Sequence, residues 1–449
     1  MRLQPLTIAV ALAAASSVAH AAPQATALQC GHLIDTVAGK RLGATTVIVQ
    51  GTRILAVKPG RVAAEDARVV DLSDATCLPG LIDSHTHLTG ETSPSGYNDQ
   101  FRWNTADYAI RSTVYARRTL LAGFTTVRNL GDGNNESAAL RNAINAGIVP
   151  GPRIYTAGVA IGSTGGHADP SNGYRQDLAG DPGPRQGIIN GVDDAWKAVR
   201  QHYKDGDDVI KIMPSGGVLD ESASADNPQM TLEEIQAVVA AAHDYGFVVA
   251  AHAHGAEAIR RAVLAGVDSI EHGTFMDAED MRLMKQHGTW FVPTIIAGKY
   301  VETMAAKPGY YPPQVARKAL EVGPKIQATA AKAYKAGVKI AFGTDAAVYP
   351  HGDNAKEFAY MVEAGMPAMF ALQAATTHAA ALLRKSADLG SLSAGKRGDV
   401  IAVRGNPLQD ITRMQHVDFV MKDGRIYKQH GTAVLEAIAD DPATSGSTF

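Results

Sequence analysis

Two histidines separated by one residue stand at the end of a short apolar segment. His85 and His87 follow residues 81–83, Leu-Ile-Asp. If this segment is a β-strand, its alternate side chains point to the same face, so both imidazoles share one side. Two imidazole nitrogens on one face suit Zn²⁺ or a similar metal ion. The pair alone does not establish a metal site, because two ordinary polar residues at a strand end give the same pattern.

Three further residues with nitrogen or oxygen ligand atoms stand at the ends of strand-like segments. His252, His272 and Asp345 each follow a short apolar run. One such residue could be a hydrogen-bonded core group, but these residue types at the ends of several segments are hard to explain by packing. Since imidazole nitrogens and carboxylate oxygens are metal ligands, the set predicts a metal site.

A lysine interrupts another apolar segment. Lys211 lies within residues 209–213, Val-Ile-Lys-Ile-Met, which should be buried on both faces of a parallel sheet. Lysine is almost never buried without a partner, so a salt-bridged or partly exposed lysine is one interpretation. Burial also lowers the pKa of a lysine, and the neutral amine can react with carbon dioxide to give a carbamate that could bridge two cations. The residues alone leave both interpretations open.

These segments belong to a regular alternation of strands and helices. Eight apolar runs have the pattern of buried strands and alternate with helical segments, which predicts a parallel (β/α)8 TIM barrel over residues 81–388. In this α/β fold the catalytic face lies at the carboxyl ends of the strands. The Gly-, Asp- and Pro-rich stretch 161–190 is predicted to be a loop over that face. The eight runs are residues 81–83, 125–127, 154–156, 209–212, 248–250, 269–270, 290–292 and 339–342.

The two ends of the chain are rich in β-forming residues. Residues 28–80 and 389–430 contain short strand-like runs separated by turn residues, and neither piece has enough strands to fold alone. We therefore predict that they combine in one small composite β-sandwich. The polar residues 431–449 are predicted to form a C-terminal tail.

Residues 1–21 have the order of features found in a secretory signal peptide. Arg2 precedes an apolar run over residues 6–15, and Ala19-His20-Ala21 has the small-x-small form of a cleavage site. This order predicts a periplasmic or secreted protein. No other segment approaches about 20 consecutive apolar residues, so no membrane contact is predicted after removal of the signal.

Composition excludes several classes of protein. The 449 residues carry 42 Lys and Arg against 45 Asp and Glu, a net charge of −3, which provides no basic surface for nucleic acid. With 45% hydrophobic and 19% charged residues, the chain has globular composition. Cys30 and Cys77 are the only cysteines. An oxidising location permits a disulfide between them, and two separate buried thiols are the alternative.

The motifs that contain these residues resemble those of the amidohydrolase superfamily. Residues 78–87, Leu-Pro-Gly-Leu-Ile-Asp-Ser-His-Thr-His, are similar to its signature, and the resemblance extends over nearly all of the mature chain. Within the superfamily, the chain looks like imidazolonepropionase-related proteins that act as Xaa-Pro dipeptidases (prolidases) or carboxypeptidases, and ochratoxin-hydrolysing amidohydrolases are similar to this branch. The other matching motifs are residues 123–128, 252–254, 271–273, 343–345 and 395–400.

The resemblance implies a site with two divalent metal ions, expected to be Zn²⁺. His85, His87 and Asp345 would hold the more buried ion. His252 and His272 would hold the second ion.

The same resemblance assigns further roles. Lys211, as N6-carboxylysine, would bridge the two ions. Attack would come from a hydroxide that bridges the metals, and Asp345 would take its proton and pass it to the leaving amine. His167 would contact the substrate near its carbonyl oxygen, and His254 would lie near a substrate carboxylate.

The implied reaction is hydrolysis of an amide or peptide bond to a C-terminal amino acid, in a dipeptide or an N-acyl amino acid such as ochratoxin A. Alternatives are hydrolysis of a cyclic amide, a lactone or another ester. Deamination is disfavoured, because Ala253-His254-Gly255 follows His252 where deaminases typically have Ala-Gly-Glu. A non-catalytic scaffold is a further alternative, although all the ligand positions are filled. We expect a homo-oligomer that acts on a small-molecule substrate.

Overall fold

The computed structural model describes residues 24–63, 66–93, 95–220 and 222–434. The predicted signal peptide lies outside this part of the chain, as does the predicted tail beyond Val434. No helix within the described residues is both long and apolar enough to cross a membrane.

Five strands rich in β-branched residues form the amino end of the described chain. The long fifth strand pairs in the parallel direction with the first strand, and the segment that contains His85 follows it directly. The strands are β1 (Thr26–Asp35), β2 (Lys40–Leu42), β3 (Thr45–Gln50), β4 (Arg53–Pro59) and β5 (Arg68–Pro79).

Seven strands follow that match seven of the eight predicted runs, so the alternating pattern of the sequence is confirmed there. The first three form one parallel sheet and the next four form a second parallel sheet. The strands are β6 (Leu81–Thr86), β7 (Phe124–Asn129), β8 (Arg153–Thr156), β9 (Val209–Ile212), β10 (Val248–Ala253), β11 (Ser269–His272) and β12 (Trp290–Val292).

The eighth predicted run, residues 339–342, is not a continuous strand. Ile340 forms an isolated parallel bridge with Phe291 of β12. The run still lies between β12 and β6, because Ser84 N donates a hydrogen bond to Phe342 O at 2.9 Å. The backbone turns soon afterwards at Asp345, whose φ is 60°, and this turn leaves the run too short for regular pairing.

Isolated bridges also join the two parallel sheets. Ile161 pairs with Ile212 at the end of β9, and Thr86 of β6 pairs with Ala346. All eight predicted segments therefore follow one another side by side. Within the described residues, however, strand pairing is interrupted at these bridges and does not form a continuously paired closed barrel.

Helices connect the parallel strands and pack their apolar faces against them in one large core. Short 3-10 helices lie at Pro184–Gln186 and Ile411–Gln415, and a π-helical turn lies at Ala374–His378. The α-helices are α1 (Gly96–Asp99), α2 (Thr105–Leu121), α3 (Glu136–Asn145), α4 (Gln176–Ala179), α5 (Val192–Asp205), α6 (Leu232–Asp244), α7 (Ala256–Ala265), α8 (Ala278–His287), α9 (Ile295–Ala305), α10 (Pro313–Ala336), α11 (Lys356–Glu363), α12 (Ala368–Gln373) and α13 (Ala379–Leu382).

Strands from both ends of the chain join in one sheet. β13 (Val400–Arg404) pairs antiparallel with β5, and β14 (Val417–Lys422), β15 (Arg425–Gln429) and β16 (Thr432–Ala433) follow outward. The sheet has nine strands in the order β16-β15-β14-β13-β5-β1-β3-β4, with β2 on β1. The predicted combination of the two ends is therefore present. Hydrogen bonding links these strands in one sheet through β5, which pairs with β1 on one side and with β13 on the other. The arrangement of this sheet as a sandwich stays a prediction.

Cys30 of β1 and Cys77 of β5 form a disulfide, with their Cα atoms 5.9 Å apart. Both side chains are fully buried in the core of the nine-stranded sheet. The sequence left open whether these cysteines pair, and their positions on two neighbouring strands answer that question.

Replacement of both cysteines by serine is expected to lower the free energy of unfolding. The bridge spans a sequence separation of 47 residues, for which the chain-entropy model gives about 4 kcal/mol. Denaturant unfolding of wild type and Cys30→Ser/Cys77→Ser measures the difference. The predicted hydrolytic activity should persist at low denaturant, because neither cysteine is among the predicted site residues. Two free thiols in the unfolded, unreduced wild type would contradict the prediction.

Candidate metal centre

The carboxyl ends of the parallel strands surround one cavity of about 410 Å³. This position follows from the fold, since parallel strands with helical connections present their carboxyl ends at the same side. The cavity is lined by all eight residues to which the sequence assigned a role in the site: His85, His87, His167, Lys211, His252, His254, His272 and Asp345.

His85, His87 and Asp345 form the tightest group of potential ligands. One Asp345 carboxylate oxygen lies 3.4 Å from His85 Nε2 and 3.2 Å from His87 Nε2. One ligand atom from each of the three residues falls within 4.8 Å of the others. The Nδ1 atom of His87 faces the backbone oxygen of Gly131 at 3.1 Å, which leaves Nε2 directed at Asp345.

Four non-glycine residues at the cavity have a positive φ, with values of 69° at His272, 50° at Thr294, 60° at Asp345 and 125° at Ala347. Non-glycine residues rarely adopt such values, and such strain persists where the surrounding structure fixes it. The hydroxyl of Thr344 donates to the buried carboxylate of Asp83 at 2.6 Å. This bond fixes the backbone next to Asp345 and so directs its carboxylate towards the two histidines.

A buried ion pair lies behind His85. Glu271 Oε2 is 2.9 Å from His85 Nδ1, while Arg128 donates to Glu271 Oε1 at 2.8 Å, and both charged side chains are fully buried. Burial acts to raise the pKa of Glu271, but the Arg128 charge and the His85 hydrogen bond outweigh it and lower the pKa to about 2. The ionised carboxylate therefore holds a proton on Nδ1 of His85 and leaves Nε2 free for a metal ion.

Three further buried imidazoles adjoin this group, and the ring centroid of His272 lies 4.9 Å from that of His85. The ring centroids of His252 and His272 are 4.6 Å apart, and those of His254 and His272 are 5.0 Å apart. Nδ1 of His272 lies 2.8 Å from the hydroxyl of Thr294, and Nδ1 of His254 lies 2.8 Å from that of Thr274. Burial is the main cause that lowers the pKa of His254 to about 3 and those of His252 and His272 well below their ordinary value.

Lys211 on β9 extends into the same cavity. Its side chain is buried, and Nζ lies 3.3 Å from His85 Nε2. Burial lowers the pKa of Lys211 to about 8, although the charges of Glu271 and Asp345 oppose this change. The lysine that interrupts the apolar run is therefore placed among the potential ligands, and the prediction of burial is confirmed.

The donors fit divalent cations. Burial and the nearby Lys211 charge lower the pKa of His85 to about 4, so its imidazole is neutral near pH 7 and has a lone pair to donate. The pKa of Asp345 lies well below its ordinary range, because His85 and His87 outweigh the opposing effect of burial. Neutral imidazoles with one ionised carboxylate are the ligand set that Zn²⁺ and similar ions take.

Another part of the cavity lining is an apolar wall. It comes from α9, α10, the segment after β9 and the segment after Asp345. Helices α9 and α10 pack closely because Gly298 has no side chain, and a Cβ there would lie 2.5 Å from Cγ2 of Ile326. The wall consists of Val218, Leu219, Ala297, Val301, Val322, Ile326, Ala347 and Val348.

Sequence reasoning missed the residues that support the ligands. It gave no role to Arg128 or to the side chain of Glu271, and it did not consider His351. Nε2 of His351 lies 2.8 Å from Gly90 O, and its backbone N donates to Glu91 at 2.8 Å. His351 thereby holds the loop after β6 against the cavity. In the sequence, its position six residues after Asp345 was the one indication that His351 lies near the site.

Comparison with known proteins identifies the family. Residues 76–427 match the amidohydrolase family, and the chain belongs to it. Ochratoxinase from Aspergillus niger is 35% identical over 380 residues, which cover 79% of this chain and 76% of the fungal protein. The family is metal-dependent, in agreement with the His-His-Asp group of the cavity.

Two solved structures are similar over most of the chain. A Xaa-Pro dipeptidase with methionine bound in its active site is 49% identical and has a TM-score of 0.88, over 90% of this chain and 100% of that protein. A prolidase complexed with N-methylphosphonate-L-proline is 32% identical with a TM-score of 0.82, again over 90% and 100%. The chain is thus a hydrolytic enzyme that acts on C–N bonds, with an α/β fold of the TIM-barrel type.

Proposed function

We propose that the enzyme hydrolyses the amide or peptide bond between an acyl group and a C-terminal amino acid, in a dipeptide or an N-acyl amino acid. The observation that carries this proposal is one cavity whose lining combines the His85, His87 and Asp345 group with apolar side chains. A polar end for the scissile amide and an apolar end for a side chain suit such a substrate. The similar Xaa-Pro dipeptidase, prolidase and ochratoxinase support the proposal.

Two divalent ions, expected to be Zn²⁺, are proposed to be held by His85, His87 and Asp345 on one side and by His252 and His272 on the other. Bound ions would lower the pKa of a water molecule and polarise the substrate carbonyl.

The side chains of this chain account for the proton transfer and for substrate orientation. Asp345 is ionised and points at the centre of the group, so it accepts a proton from the attacking water. A C–O bond forms, the C–N bond breaks, and Asp345 returns the proton to the amine nitrogen. His167 and His254 line the cavity beside this centre, where they can orient the carbonyl and the carboxylate of the substrate.

Lys211 is proposed to be N6-carboxylysine. Its amine would attack carbon dioxide, forming an N–C bond and releasing one proton, and the resulting anion has two oxygens that can bridge two cations. The burial of Lys211 and its 3.3 Å distance from His85 Nε2 support this assignment.

Carboxylation predicts a carbamate carbon resonance when metal-loaded protein is incubated with isotopically labelled bicarbonate. Lys211→Ala should lack this resonance and lose hydrolytic activity by about a hundredfold or more, equal to about 2.7 kcal/mol of activation free energy. Lys335→Ala, which removes an exposed lysine of α10, is the matched control and should keep both the carbamate resonance and the hydrolytic activity. Electron density for an unmodified lysine in the metal-loaded protein would refute carboxylation.

The substrate is tested with a panel given to the metal-loaded enzyme. The panel contains N-acyl amino acids, dipeptides with free carboxyl termini and ochratoxin A, together with a cyclic amide, a lactone and a simple ester. We expect the highest kcat/KM within the first three groups. Faster hydrolysis of the cyclic amide, lactone or ester would replace this proposal with that reaction. Hydrolysis of none would refute the proposed substrate class.

Domain organisation and location are further proposals. Residues 81–388 are proposed to form a closed barrel, and residues 28–80 with 389–430 a second, β-rich domain. Cleavage after Ala21 would place the mature enzyme in the periplasm or outside the cell, and N-terminal sequencing of the purified protein tests this. We also propose a homo-oligomer, which sedimentation analysis tests.

A further inference from the structure

A buried lysine on α10 contacts the segment that follows β9. The Lys318 side chain is 1% exposed, and its Nζ lies 2.6 Å from a carboxylate oxygen of Asp220. The same ammonium donates to the backbone oxygens of Gly217 at 2.8 Å and of Asp220 at 2.9 Å. One cation therefore binds both ends of the segment 217–220.

The Asp220 carboxylate connects this lysine to the cavity. Its second oxygen accepts hydrogen bonds from the backbone N of Gly217, at 3.1 Å, and from Nδ1 of His167. Burial acts to raise the pKa of Asp220, but the His167 and Lys318 contacts outweigh it and hold the pKa well below the ordinary range. An ionised carboxylate only accepts, so Nδ1 of His167 carries a proton and Nε2, on the opposite edge of the ring, is left for a ligand.

The orientation of His167 is fixed on its other sides as well. Its ring lies against Gly217, where a Cβ would be 2.1 Å from Cε1 of His167. Its centroid is 4.4 Å from that of His252. The segment 217–220 therefore contributes directly to the orientation of this imidazole.

The same segment contributes to the apolar wall. Val218 and Leu219 lie between the two residues whose backbone oxygens bind Lys318, and both line the cavity. Val322, one helical turn after Lys318 on α10, lines it too. A single ammonium thus connects the imidazole and the apolar wall on one side of the cavity.

We infer that Lys318 and Asp220 are positioning residues for substrate binding, which act through His167 and the 217–220 segment and touch neither substrate nor metal. This inference rests on the proposed amide hydrolysis at this cavity. A lysine that served only the overall stability would lower the fraction of folded enzyme and would leave the KM of the folded molecules unchanged. A positioning residue raises KM.

The first test is steady-state kinetics of metal-loaded Asp220→Asn and Lys318→Met with the best N-acyl amino acid of the panel. We expect KM to rise about tenfold in each variant while kcat changes less than about threefold. Lys332→Met removes an exposed lysine of the same helix and should leave both constants unchanged. Gly217→Ala keeps both charges but displaces the imidazole, and it should reproduce the rise in KM even if Lys318→Met does not fold.

A double-mutant cycle separates positioning from other effects. In a His167→Ala background, Asp220→Asn should raise KM by a clearly smaller factor than in the wild type, because only its effect through the 217–220 segment remains. An unchanged KM in Asp220→Asn and Gly217→Ala would overturn the inference. So would an equal Asp220→Asn effect with and without His167.

The proposed function and this inference fail in distinguishable ways. If the wild type hydrolyses none of the panel, the proposed function fails, and crystal structures of Asp220→Asn and Lys332→Met decide the positioning claim. A displaced His167 ring in Asp220→Asn, with an unmoved ring in Lys332→Met, supports it. An unmoved ring in both variants refutes it.

Discussion

Removal of divalent metal ions is expected to abolish hydrolysis by this enzyme. The cavity groups neutral imidazoles with the ionised Asp345, and no serine or cysteine nucleophile lines it among the described residues. Loss of the ions should slow the reaction at least about a thousandfold, equal to about 4 kcal/mol of activation free energy. The measurement is the initial rate before chelation, after it, and after Zn²⁺ is returned, with metal content determined in each sample.

Ligand variants separate this effect from damage by the chelator. His85→Ala and His272→Ala should lose as much activity as the stripped protein yet remain folded, because the apolar layers between strands and helices supply most of the stability. His416→Ala changes an exposed histidine away from the cavity and serves as the control. A full rate in protein shown to be free of metal would refute metal dependence.

The positions of the proposed ligands could be predicted because they depend on local rules. Strand periodicity placed His85 and His87 on one face, and the burial of parallel strands made Lys211 conspicuous. The rule that strand ends of an α/β fold meet at one side then placed Asp345 with them. These residues do line one cavity, and predicting this required no knowledge of contacts between distant parts of the sequence.

The residues that support the ligands could not be predicted, because their partners are far away in sequence. Arg128 and Glu271 are separated by 143 positions, and Asp220 and Lys318 by 98. Each of these charges has an ordinary sequence context. Only the tertiary fold brings the side chains of β7 and β11 together and places α10 next to the segment after β9. The disulfide between Cys30 and Cys77 depended on strand neighbours in the same way.

The differences between the predicted and the observed strands also arise from features that composition does not reveal. Residues 339–342 have a strand-like composition, but composition does not reveal the turn at Asp345 that shortens the run. The two β-rich chain ends were correctly expected to combine. The order of the strands in their common sheet could not be predicted, because the pairing of β5 with β1 and β13 is non-local.

Glu271→Gln is expected to weaken both metal binding and folding. The variant amide cannot neutralise Arg128, which stays fully buried, and it no longer holds the proton of His85 Nδ1 with an ionised acceptor. Loss of such support typically weakens metal binding about 10- to 100-fold. Breaking a buried ion pair by removing one partner costs about 3–5 kcal/mol of unfolding free energy. Competition with a chelating dye and denaturant unfolding of the metal-free protein measure the two quantities separately.

The chain offers a matched control for this variant in Glu279, which forms an ion pair with Arg282 on the exposed surface of α8. Glu279→Gln makes the same chemical change where water solvates both partners, so metal affinity and stability should remain at their wild-type values. A drop in stability of Glu271→Gln with an unchanged metal affinity would show that the ion pair supports the strands alone. If both stability and metal affinity fall in Glu271→Gln and neither falls in Glu279→Gln, the buried carboxylate fixes His85 as a ligand.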